Sequence, residues 1–431
     1  MSVSPEPVPY HPRDPLRWSG SIALAFLVLC LVRLTIPAKP YFDEVHYLPA
    51  ARALLDLSHL ANPEHPPLGK ELIALGIAVF GDGPFGWRIM PALMGALGLF
   101  AGMRALWFAS LSRFATLAFG VLLATGFPLF VQARIAMLDG IMASFVLVAA
   151  WMCAGAFREH ETARWRFAIA GAAIGCAMAT KWNAVPLAAV PGFAFLAMRV
   201  RSAGLGFLTA ARGLPVGGMS TAEAAVWLGA LPVAVYALCY APYAFLAEGA
   251  VGSGGLLDLH RRMLALQEQV VSPHTYQSVW YQWVLNARSI WYLYEPVDGA
   301  QRGVMLIGNP LTMLLGLPAL AWCAWAGIAR RRTDALAVAV LYAVSLGTWI
   351  VAPKPVQFYY HYFLPGCFLM AGLALALDEL WQCGGRWKRG AALAVLAASL
   401  AMLVYFWPIL TAAPLDDAQA FLDYAWIPSW R

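Results

Sequence analysis

Residues 41–70 read YFDEVHYLPAARALLDLSHLANPEHPPLGK, placing an Asp-Glu pair, three histidines and a His-Pro-Pro directly behind an apolar stretch long enough to cross a bilayer. A charged side chain at the centre of a membrane helix costs roughly 2.5 to 3.5 kcal/mol on the insertion scale. A chain poor in charge therefore places its carboxylates where water or a reaction needs them. Asp43 and Glu44 are such carboxylates, and chemistry at a membrane surface is the first hypothesis. A plain hydrated loop is the alternative reading of the same residues.

Outward from this stretch, the whole chain is apolar. Its 431 residues are 61% hydrophobic and only 12% charged, with a mean hydropathy of +0.65, a balance that soluble domains rarely reach. The sequence predicts a single all-α polytopic membrane domain over residues 1–431. Apolar windows lie near 20–36, 89–108, 114–131, 136–157, 167–180, 184–198, 224–246, 304–328, 335–352, 362–381 and 390–410, which predicts eleven transmembrane helices. Ten is the alternative count, because Lys181, Trp182 and Asn183 separate two short windows that also read as one broken span.

With eleven spans and a cytoplasmic N-terminus, the basic run Arg330, Arg331 and Arg332 and the cluster Arg386, Lys388 and Arg389 fall inside, as the positive-inside rule requires. The outer face then holds two long segments, 37–86 and 247–303, and a short one at 353–361. The chemistry is expected to face outward. Seven cysteines sit within or beside predicted helices without CxxC spacing, so neither a disulfide frame nor a thiolate metal site is indicated. The glycine-rich run 203–218 has no strand before it and reads as a connector, not a nucleotide loop.

The Asp-Glu pair opens an amphipathic pattern in which Val45, Leu48, Ala51, Leu54 and Leu55 recur at helical spacing. Residues 43–56 are thus expected to lie along the membrane surface with Asp43 at the helix start. The helix N-terminus favours an ionised carboxylate there while burial opposes it, the balance a general base needs. In His65-Pro66-Pro67 two prolines fix the backbone. Arg134 and Asp139 flank a predicted helix start; a grip on an anionic head group and a structural ion pair are both open for Arg134. Lys181, with Trp182, and Lys354 are further outer-face cations, for which snorkelling is the bland account. Residues 260–295, which include His274 and Tyr276, are dense in aromatic rings, equally an interface belt and a sugar-stacking platform. His361 stands alone among tyrosines, where a satisfied interface residue is the commoner outcome.

An ordered set of motifs resembles one family. FDEVHY (42–47), HPPLGK (65–70), WRIMPALMG (87–95), ARIAMLDG (133–140), ATKWNA (179–184), HTYQSVWYQW (274–283), IGNP (307–310) and FYYHYFLPG (358–366) are similar to the signatures of protein O-mannosyltransferases, membrane glycosyltransferases of the GT-C fold. The resemblance implies an inverting transfer of mannose from a polyprenyl-phosphate donor to Ser or Thr of a secreted or membrane protein, with Asp43 as base and Glu44 orienting the acceptor. It implies that Arg134 and Lys181 hold the donor phosphate, and that His65, Asp139, Trp182, His274, Tyr276 and His361 bind substrate or shape the site. No metal, cofactor or nucleic acid is implied. Eukaryotic members carry a large insert where this chain has only 247–303, so the resemblance is to a compact bacterial member of the inner membrane with its site facing the periplasm. The same fold serves transferases that modify lipid A or cell-envelope glycans, the alternative reading. A flippase fits less well, because the spans lack paired broken helices.

Overall fold

The computed structural model describes residues 13–247, 254–269, 272–352 and 354–431. Its first half is a run of helices: α1 (Leu16–Leu31), α2 (Glu44–Leu55), α3 (Leu68–Phe80), α4 (Pro84–Ser110), α5 (Arg113–Thr125), α6 (Pro128–Gln132), α7 (Leu138–Arg158) and α8 (Ala163–Thr180). Among the described residues eight helices are long and apolar enough to cross a membrane. They are α4, α7, Trp182–Gly206, Thr221–Phe245, Pro310–Ala329, Thr333–Val351, Tyr359–Gln382 and Arg386–Leu410. The other three predicted windows fall on α1 and α5, which are shorter, and on α8, which begins with Arg164 and Arg166. Lys181 stands in an extended conformation, φ −158° and ψ 137°, between α8 and the next helix, so the two windows that flank it are separate helices.

One window needs correction. The stretch from 304 does not begin as helix but as the second strand of an antiparallel hairpin, β1 (Ile290–Val297) and β2 (Ala300–Leu306), paired from Ile290 with Leu306 to Val297 with Ala300. Asp298 and Gly299 both take positive φ, 49° and 74°, the conformation that a two-residue hairpin turn demands and that Asp-Gly supplies at low cost. Leu306 is followed by Asn309, whose side chain accepts from the N–H of Leu311 and caps the helix Pro310–Ala329.

The helices pack through small residues. A Cβ on Gly95 of α4 would lie 2.6 Å from the Ala133 Cβ, and one on Gly98 would lie 2.6 Å from the Ser144 Oγ. Only glycine lets α4 approach α7 and its leading loop this closely, which is how packing is gained where lipid supplies no hydrophobic drive.

Two buried arginines then fix the segment that carries the Asp-Glu pair. Glu44 is fully buried and takes a forked ion pair from Arg88 of α4, Nε to Oε1 and Nη2 to Oε2, both at 2.8 Å. The N–H groups of Ala136 and Tyr41 donate to the same carboxylate at 2.9 and 3.2 Å. The remaining Arg88 donors reach the carbonyls of Leu34, Pro37 and Lys39. Arg134 points its guanidinium at the C-terminal end of α1, donating to the carbonyls of Leu29, Cys30, Val32 and Arg33. The first three are orphan acceptors at the negative end of a helix dipole, while the Arg33 carbonyl also takes the Ile36 N–H. In this arrangement both Glu44 oxygens are engaged by Arg88 and by the N–H groups of Ala136 and Tyr41, and the Arg134 guanidinium is engaged by backbone carbonyls, contacts that the expected roles of orienting an acceptor and holding a phosphate did not include.

Removing one partner of a buried ion pair leaves an uncompensated charge and costs about 3 to 5 kcal/mol. Arg88→Ala is therefore expected to lower the melting temperature in detergent sharply and to reduce the yield of folded protein, with Glu44→Ala equally damaging. Unchanged melting of Arg88→Ala would show that the pair does not hold the fold.

Candidate active site

Asp43 occupies the position just before α2, and its carboxylate caps no backbone N–H of that helix. The same turn that buries Glu44 thus leaves Asp43 half-buried and unspent. Phe42, immediately before it, has φ 50°, a left-handed conformation that costs a non-glycine residue roughly 1 to 2 kcal/mol. The Phe42 ring is held there by stacking on Tyr292 of β1, with centroids 4.0 Å apart. The hairpin that the sequence hid therefore braces the turn that carries Asp43.

Around Asp43 the structure gathers groups from four other segments. Burial pushes the Asp43 carboxyl up to about 6, with Lys181 pulling it down, Asp139 pushing it up, and His46 and Lys354 pulling it down more weakly. Lys181 follows α8 and donates to both oxygens of Asp139 in the first turn of α7, at 2.9 and 2.7 Å, with both side chains almost wholly buried. Its ammonium also lies over the Tyr360 ring, 4.9 Å from the centroid. An ammonium has three donors, so Lys181 retains one beyond those spent on Asp139. Lys354 bonds Gln267 Oε1 at 3.0 Å, and burial, aided by Lys181, lowers its pKa to about 8.

His65 lies beside Tyr47, with ring centroids 6.0 Å apart. Burial first, then Lys181, Lys354 and Lys70, hold its pKa well below the usual value, so it is neutral at physiological pH. The rigid His-Pro-Pro loop is pinned from below by Lys70, fully buried, which donates to the carbonyls of Asn62 and His65 at 2.7 and 2.8 Å. A strap ties this loop to the helix Gly255–Glu268: Gln267 donates to the Glu64 carbonyl at 2.7 Å while accepting from Lys354.

Asp43, His65, Asp139, Lys181 and His361 are thus brought to one region. Three other expected residues are placed elsewhere. Trp182 faces away, donating to the Tyr236 hydroxyl at 3.0 Å and stacking near His260, so it anchors the helix Gly255–Glu268. His274 is exposed and Tyr276 half-buried. Their segment packs on 355–358, where His274 meets Phe358 with ring centroids 5.1 Å apart, at the rim of the region. Residues the sequence reading passed over include Lys354, treated there as a snorkelling cation, together with Tyr47, Tyr292 and Tyr360. The FYYHYF run held a signal: five aromatic rings around one histidine make a wall, not only a belt.

The comparisons agree with this architecture. Residues 64–210 match the model for dolichyl-phosphate-mannose-protein mannosyltransferases, and residues 254–430 match that for the C-terminal four-span region of protein O-mannosyltransferase. The polyprenol-phosphate-mannose–protein mannosyltransferase of Mycobacterium tuberculosis is 31% identical over 100% of this chain and 96% of its own length. The enzyme of the same name from Corynebacterium glutamicum is 27% identical over 92% and 89%. Among solved structures, the S. cerevisiae Pmt1-Pmt2 complex bound to the sugar donor superposes with a TM-score of 0.82 at 14% identity, covering 97% of this chain and 93% of that one. ArnT from Cupriavidus metallidurans bound to undecaprenyl phosphate gives 0.60 at 17%, covering 92% and 66%. On this evidence of sequence and fold, the chain belongs to the protein O-mannosyltransferase family and is an integral membrane glycosyltransferase of the GT-C fold.

Proposed function

We propose that the protein transfers mannose from a polyprenyl-phosphate-mannose donor to Ser or Thr hydroxyls of proteins, with inversion at the sugar, and that Asp43 is the base. The observation that carries this reading is the unspent Asp43 carboxylate, held near a pKa of about 6 beside two lysines. A carboxylate in that range is ionised at neutral pH yet basic enough to accept a proton as the hydroxyl becomes a nucleophile. The hydroxyl proton passes to Asp43, its oxygen forms the new bond to the anomeric carbon, and the bond from that carbon to the phosphate oxygen breaks. The electron pair leaves with the lipid phosphate. Negative charge on that phosphate grows in the transition state, which is where cations lower the barrier.

In this reading the cations are Lys181, aimed by Asp139, and Lys354, aimed by Gln267. They replace Arg134, whose donors hold the end of α1. Neutral His65 is a hydrogen-bond partner for the head group and adds no charge. Phosphate departure is met by ammonium groups, so the reading assigns no step to a metal.

Three measurements follow. Asp43→Asn keeps size and polarity but cannot take the proton, so transfer is expected to fall roughly 100- to 10,000-fold with donor binding retained. Purified protein supplied with polyprenyl-phosphate-mannose and a cell-envelope extract should label polypeptide; label on lipid A or glycan would replace the acceptor assignment. Transfer by the Asn variant at the wild-type rate would remove Asp43 as base. Lys354→Ala is expected to lower kcat/KM for the donor about 10- to 100-fold, the loss of one charge-assisted hydrogen bond, while the melting temperature stays within a degree or so of wild type. Equal activity in that variant would leave the phosphate to Lys181 alone.

We also propose that the site faces out of the cytoplasm, in a bacterial inner membrane. The exposed positions Ser272 and Thr333 test this. In a cysteine-free background, Ser272→Cys should react with an impermeant thiol reagent added to intact cells and Thr333→Cys should not, and the reverse pattern would invert the map.

A further inference from the structure

His361 holds a buried hydrogen bond donor without an acceptor. The Phe358 N–H donates to its Nδ1 at 3.0 Å, so in the neutral ring the proton sits on Nε2. The residue is only 2% exposed, and its Nε2 has no hydrogen bond partner among the described residues. Leaving a buried donor unmade costs about 1 to 3 kcal/mol. The ring cannot turn to relieve this, because Trp349 lies against it at 3.8 Å between centroids and Tyr360 at 4.5 Å. His361 lines a narrow cleft with Asp139, Asn183, Ser345, Trp349 and Tyr360, and Asp139 and Tyr360 connect that cleft to Lys181 and the region of Asp43.

We infer that this cleft is the subsite that reads a hydroxyl on the donor sugar, with His361 Nε2–H donating to the hydroxyl oxygen. The inference rests on the transferase reading above and names which part of the donor these residues recognise. Two features favour a hydroxyl over the phosphate. A hydroxyl both accepts and donates, and this cleft offers a donor at Nε2 together with acceptors at Asp139 and at Ser345 Oγ, which itself donates to the Tyr342 carbonyl at 3.0 Å. A phosphate accepts only, and would give nothing to the acceptors at Asp139 and Ser345. The narrowness of the cleft admits an edge of the sugar, so one hydroxyl enters and the ring stays outside. A site built to hydrogen-bond a substrate hydroxyl rejects an analogue that lacks it, because its buried polar groups are then left unpaired.

The test is binding of polyprenyl-phosphate-mannose and of polyprenyl phosphate to the full-length protein, wild type and His361→Asn. Asparagine can present its oxygen near the position of Nδ1, keeping the Phe358 contact, but has no group at Nε2. The expected result is donor affinity weakened about 10-fold, polyprenyl phosphate affinity unchanged and the melting temperature preserved. Equal weakening of both lipids would move His361 to the phosphate and overturn the inference, and no weakening would leave the cleft to a resident water and also overturn it. Monodeoxy-mannosyl donors on the wild-type protein give an independent answer should the variant fail to fold. One of them is expected to bind as weakly as the parent donor does to His361→Asn, and uniform binding across the series would contradict the inference. A wild-type protein that binds neither lipid would instead sink the transferase reading on which the inference depends.

Discussion

The Glu44–Arg88 ion pair is the constraint on which the rest of the site depends. It joins the start of α2 to α4, and through the N–H of Ala136 it also joins the loop that leads into α7. Arg88 gathers three carbonyls from the segment between α1 and α2. Because successive residues at a helix start point in different directions, burying Glu44 in this lock leaves its neighbour Asp43 facing the Lys181–Asp139 pair. The carboxylate next to the lock is the one we propose as the base. Arg134 does a parallel service for α1, taking up carbonyls that would otherwise be stranded where the chain turns.

The same logic of low dielectric governs the reactive groups. An isolated charge out of water is expensive, so Lys181 comes with Asp139 and Lys354 comes with Gln267. Among the described residues Asp43 has no such direct partner. Its burial without a hydrogen bond is what lifts it toward neutrality, and the surrounding lysines stop the lift at about 6. Ground-state stabilisation of that carboxylate by a firm ion pair would make it a poorer base. The left-handed Phe42 and its Tyr292 stack belong to the same design, since a strained residue persists where its surroundings over-determine it.

Much of the fold was legible because hydropathy is additive over a window: the predicted apolar windows fall largely on helices, although the one at 114–131 is broken between α5 and α6 and the one beginning at 304 opens on a strand. Asp43 was legible because a carboxylate at the start of an amphipathic pattern after a span has few bland explanations. The pattern itself held in part, with Leu48 and Ala51 buried and Val45 and Leu55 exposed. The hairpin carried its own signal in Asp298-Gly299, but the apolar residues of β2 were absorbed into the following helix window. What stayed hidden was partner choice. Nothing local says that Glu44 meets Arg88, that Arg134 turns back to a helix more than 100 residues earlier, or that Trp182 faces His260 and not the site. Lys354 reads as a surface cation until the structure sets it against Gln267. These are facts of tertiary packing between distant segments, and a single sequence has no term for them.

The pH dependence of kcat/KM for mannosyl transfer tests the central claim most directly, namely that a half-buried, unpaired Asp43 beside two lysines is the base. Asp43 must be ionised to act, so activity is expected to be lost as pH falls through its raised pKa, giving an acid limb centred near 6. That limb should disappear in the residual activity of Asp43→Asn. A limb at the ordinary carboxylate value near 4, or the same limb persisting in Asp43→Asn, would contradict the account.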